Sequence, residues 1–208
     1  MLNNNPYLAG NFSPLDSELT SEDLQVTGEI PKELNGCLAR IGPNPVDPDP
    51  SNHHYFLGNG MIHGLYLQNG EALKFHSRFV RDDILEKKFG WPPLAGPRNT
   101  FGSGVVNTNV IRHAGRTLAL IEAGGLPVEL DDRLDTVCRT NLDDTLPAGL
   151  SAHPHRDPDT GELHAAIYSP FWHHIQHLVI DPTGLVVRAV DVPVPGQPMV
   201  HDCMITEQ

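Results

Sequence analysis

Short apolar runs rich in Val, Ile and Leu, each closed off by Gly, Pro, Asn or Asp, recur along this chain, while apolar residues at helical spacing are scarce. Runs of this length bury alternate side chains of strands and leave little room for helices, so an all-β fold is expected. The candidate strands are Gly36 to Ile41, His63 to Gln68, Leu73 to Val80, Val105 to His113, Arg116 to Glu122, Leu163 to Tyr168, Ile175 to Ile180 and Leu185 to Val192. Asn69-Gly70, Ala114-Gly115 and the Asp181 to Gly184 stretch supply residues that tolerate the positive φ of tight hairpins, so pairing should be antiparallel and local. One small helix is expected around Arg81 to Lys88, ahead of the breaker pair Pro92-Pro93. The first 25 or so residues read as a wrapping arm. Turns at Gly70, Gly115, Gly161 and Gly184 recur loosely at the roughly 40 to 50 residues of propeller blades. A sandwich has a similar number of strands, and pattern alone leaves both architectures open.

Composition narrows the function classes. The 208 residues carry 26 acidic against 14 basic side chains, a net charge of −12, and no Lys/Arg cluster, so a nucleic-acid surface is not expected. No run of about 18 apolar residues is present, so no membrane-spanning helix is expected. The amino terminus lacks the basic start and apolar stretch of a secretory signal, and the three cysteines are far apart in sequence. Those two features suit a reducing, cytoplasmic setting. Twelve histidines in one chain ask for a chemical reason.

Six strings occur in order: GEIPKELNGCLARIGPNP (Gly28 to Pro45), FLGNGMIHGLYL (Phe56 to Leu67), FHSRFVR (Phe75 to Arg81), NTNVIRHAGRTLALIEAG (Asn107 to Gly124), SAHPHRDPDTGEL (Ser151 to Leu163) and PMVHDCMITE (Pro198 to Glu207). Together they resemble the amino-terminal part of the carotenoid cleavage oxygenases. The resemblance implies a seven-bladed β-propeller whose axis holds Fe(II) on four histidines, one from each of four blades, with glutamates behind them. Residues 1–208 would then be a partial propeller domain covering roughly the first four blades.

Matched to the family's motifs, the metal ligands in this chain are His153 and His201, about 50 residues or one blade apart. Glu122 falls at a position where a carboxylate holds the far nitrogen of a ligand imidazole. No histidine follows His201, so this chain alone would supply half of the ligand set and be inactive by itself. The implied reaction is cleavage of a conjugated double bond of a carotenoid or apocarotenoid by O2, giving two carbonyl products. Peripheral membrane contact would follow from the substrate's solubility. Stilbene-type phenylpropenoid cleavage uses the same iron core and is the alternative, as is an inactive partial propeller that only binds.

The other histidines have plainer readings. HHIQH (His173 to His177) would place two rings on one face of a helix as a zinc pair, but it runs into LVIDPTG, which reads as strand and turn. His53, His54, His76, His155 and His164 read as surface or turn residues. Leu57 and Asn59 replace the two acids of the family's FDGDGM pattern, which touches the geometry of that turn and not the ligands. Cys203 stands where the family more often has an aromatic residue.

Overall fold

A computed structural model of the chain describes residues 5–99 and 102–206, so the start of the expected arm and Glu207, the end of the last motif, lie outside the described residues. Among the described residues, twelve strands and one α-helix follow in order: β1 (Leu19–Ser21), β2 (Gly36–Asn44), β3 (Asn59–Gln68), β4 (Glu71–Val80), α1 (Asp83–Phe89), β5 (Asn109–His113), β6 (Arg116–Leu120), β7 (Val128–Leu130), β8 (Thr136–Arg139), β9 (His155–Arg156), β10 (Leu163–Ile167), β11 (His174–Ile180) and β12 (Val186–Pro193). They form three four-stranded antiparallel sheets, ordered β1-β4-β3-β2, β5-β6-β7-β8 and β9-β10-β11-β12. The resemblance implied roughly four blades. Gly161 and Gly184 turn within the same sheet, joining β9 to β10 and β11 to β12, so the described residues hold three complete sheets.

The sheets stack because their strands alternate apolar side chains to two faces. On β6, Leu118 and Leu120 enter a core shared with Leu163, Ala165 and Ile167 of β10 and with Leu178 and Ile180 of β11. Ala119 between them enters a second core with Ile41, Ile62 and Val80 of the first sheet. The middle sheet is therefore covered on both sides. Each fully buried aliphatic side chain contributes about 1.5–3 kcal/mol, which makes these two cores the main source of cohesion. On the far side of the first sheet, Met61 and Phe79 pack against Leu85 of α1 with Val46 and Trp91.

The helix forms where expected, starting two residues later and ending one residue later. Asp82 accepts hydrogen bonds from the Ile84 and Leu85 amides at 2.8 and 2.9 Å and caps its start, and Gly90 ends it at a φ of 67°. Three expected strands are shorter than predicted, one of them by the single residue Tyr168, which lies beyond the end of β10. Val105 to Thr108 precede β5 without joining it, and Ile121 and Glu122 lie beyond the end of β6.

Candidate metal centre

Glu122 owes its direction to that early end of β6. Two residues past the strand the chain turns back through Ala123 and Gly124, both at positive φ. There it meets a second stretch: the Leu150 amide donates to the Gly125 carbonyl at 2.9 Å. A Cβ on Gly149 would stand 1.7 Å from the Gly124 oxygen, so this crossing needs glycine. His153 follows three residues later. Its amide donates to Ser151 Oγ at 3.3 Å, and Asn109 Nδ2 donates to the Ala152 carbonyl at 2.8 Å. His201 arrives from the other direction, on a stretch after β12 that has no regular secondary structure.

The three side chains meet. His153 Nε2 lies 3.1 Å and His201 Nδ1 lies 3.5 Å from Glu122 Oε1, and the two imidazole centroids are 4.6 Å apart. Each offers a ligand atom, and the three lie within 4.8 Å of one another. The Glu122 and His153 side chains are mostly shielded, whereas that of His201 is 77% exposed. Burial pushes the Glu122 carboxyl above its ordinary range, and attraction to His153 and His201 offsets only part of this.

Both Glu122 oxygens and His153 Nε2 are buried without a hydrogen-bond partner. The 3.1 Å approach is thus close but not aligned as a hydrogen bond. Buried polar atoms left in this state cost about 1–3 kcal/mol each, more when charged, and a cation among them would remove that cost. Imidazole nitrogens backed by a carboxylate suit a divalent transition metal such as iron. The residues present therefore fit the implied Fe(II). Glu122 also borders a cleft of about 710 Å³ walled by Ile121, Leu126, Leu146, Pro147 and Trp172.

The remaining histidines are placed elsewhere. His174 and His177 of HHIQH lie on β11, and His177 Nε2 sits 3.2 Å from His164 Nδ1 of the neighbouring strand with the rings stacked, so the helical zinc pair is not formed. His76, expected at the surface, is buried on β4 with Nδ1 3.0 Å from the Arg133 carbonyl. His155, also expected at a surface or turn, is on β9 and bonds through Nε2 to Asp202 Oδ1 at 2.7 Å. The sequence singled out neither His155 nor Asp202 as site residues; the one available hint was their closeness to the two predicted ligands.

Comparison with known proteins gives a concordant set of matches. The profile of a family described as retinal pigment epithelial membrane protein matches residues 12–208. A carotenoid cleavage oxygenase of Mycobacterium tuberculosis is 47% identical over 98% of this chain and 41% of its own length. The crystal structure of Pseudomonas brassicacearum lignostilbene dioxygenase superposes with a TM-score of 0.83 at 28% identity, covering 98% of this chain and 46% of that one. A cobalt-substituted Synechocystis apocarotenoid oxygenase superposes with a TM-score of 0.69 at 26% identity, covering 91% of this chain and 45% of that one. The chain thus spans less than half the length of the relatives it matches.

Proposed function

This chain belongs to the carotenoid cleavage oxygenase family, and from that premise we propose that the protein it forms part of is a non-haem Fe(II) dioxygenase that cleaves a conjugated double bond of a carotenoid or apocarotenoid. One oxygen atom of O2 goes to each of the two carbons, giving two carbonyl products with no external reductant. The observation that carries this reading is the meeting of His153, His201 and Glu122, with His153 Nε2 and both carboxylate oxygens buried and unpaired.

His153 and His201 would hold the iron as half of a four-histidine set, the other two ligands lying outside these residues. Bound iron supplies the activation of O2. Glu122 faces Nδ1 of His201 and, by accepting its proton in a hydrogen bond, would fix the tautomer that leaves Nε2 free to bind metal. The apolar walls beside Glu122 would accept a hydrocarbon chain.

The test is the full-length protein loaded with Fe(II) and given a carotenoid or an apocarotenoid. O2-dependent bleaching with formation of two carbonyl products is expected. If the loaded protein leaves both polyenes intact, the reading is wrong. Stilbene cleavage is the second reading, favoured by the superposition on lignostilbene dioxygenase; a hydroxylated stilbene cut in place of the polyenes would decide for it. Folded protein that takes up no metal would point instead to a module that only binds.

A further inference from the structure

We propose that His155 and Asp202 form a clasp that sets His201 in place beside His153 and Glu122, which makes them positioning residues for the metal. This rests on the assignment of His153 and His201 to iron.

His201 needs such a device. It is 77% exposed, and residues 194–206 around it belong to no helix or strand, so neither packing nor a ladder fixes its ring. His155 sits on a firm support: β9 pairs with β10, with His155 opposite His164 and Arg156 opposite Leu163, a core residue. From there Nε2 reaches Asp202 Oδ1 at 2.7 Å. The same oxygen accepts the Cys203 amide at 2.7 Å, which fixes the carboxylate against its own backbone.

The spacing turns this bond into a positioning contact. On one side only Pro154, whose ring fixes φ, separates the clasp from His153. On the other side Asp202 adjoins His201 directly. Closing the bond between residues 47 apart in sequence therefore delivers two imidazoles to within 4.6 Å of each other. An ionised acceptor makes this bond stronger than a neutral one. Without it, His201 would have to be ordered by the metal itself, and that ordering would be subtracted from the binding affinity.

The experiment is a Co(II) titration of the full-length protein, followed by the visible absorption of the bound ion, with circular dichroism as a check on folding. His155→Ala and Asp202→Ala are expected to weaken Co(II) binding about 2- to 5-fold, the scale of a solvent-exposed ionic hydrogen bond, and to alter its spectrum. The double variant should be no weaker than either single one, because the two residues act through one bond. His155→Gln keeps an N–H donor and should recover most of the affinity. It also decides the matter if His155→Ala fails to fold. Single variants that bind Co(II) like the parent, with the same spectrum, overturn the clasp and leave the iron site standing. A His155→Gln protein as weak as His155→Ala overturns it as well. A parent protein that takes up no Co(II) overturns both the clasp and the iron site.

Discussion

Asn59 shows how one side chain settles a question that the sequence raised. It replaces an acid of the family pattern, and in the fold it is buried, donating to Asp82 Oδ2 at 2.8 Å while its own oxygen accepts the Val46 amide at 3.2 Å. Asp82 is itself fully buried, and burial raises its pKa despite the three hydrogen bonds it accepts. The folded chain thus holds this proton more tightly than the unfolded chain, and stability falls as pH rises from the ordinary aspartate range through the raised value. Asn59→Asp would set a second carboxylate against the first. We expect it to cost about 1–3 kcal/mol at neutral pH, with the loss shrinking on acidification as the pair takes up a proton. Urea unfolding at pH 5 and pH 7 checks this, and an equal loss at both values would count against it. At this scale the site was partly legible. Glu122, His153 and His201 stand in recognisable strings, whereas the bond from His155 to Asp202 joins distant residues that carry no local signature.

The strands that the sequence displayed are those with regular alternation and a glycine or asparagine turn, as in β3 to β4 through Asn69-Gly70 and β5 to β6 through Ala114-Gly115. Four others were not legible, for physical reasons. β7 and β8 have three and four residues, and their turn places Leu134, a core residue, at a φ of 66° where glycine is usual. Asp131 makes that turn workable by accepting the Arg133 and Asp135 amides at 2.8 and 2.9 Å. β9 has two residues, and β1 pairs with β4 across a long stretch of sequence, so neither has a pattern of its own. β3 also carries two glycines where the first two sheets touch. A Cβ on Gly60 would meet the Val106 carbonyl oxygen at 1.9 Å, whereas on Gly64 it would meet the end of the Leu134 side chain at 2.4 Å. Backbone cannot step aside as a side chain can. Gly60→Ala should therefore cost more than Gly64→Ala, by about 1–3 kcal/mol; equal melting temperatures for the two variants would contradict this packing.

On the scale of the whole molecule, the middle sheet is covered on both faces by the sheets beside it, whereas the outer two each meet another sheet on one face only, the first having α1 against part of its other face. Leu38 on the first sheet and Val187, Val190 and Val192 on the third are exposed, which suits sheets that continue into further structure. The all-β class followed from turn chemistry and short apolar runs, while the number of sheets did not, because a hairpin turn looks the same within a blade as between blades. The candidate centre sits where the second and third sheets meet the stretch beyond β12, so metal binding reports on the arrangement of all three segments together. The iron content of the full-length protein, measured by elemental analysis beside His153→Ala and His201→Ala, is the sharpest check on the assignment of iron to these two histidines. That assignment predicts about one iron per chain in the parent and loss of that iron in each variant. Full occupancy in either variant would contradict it.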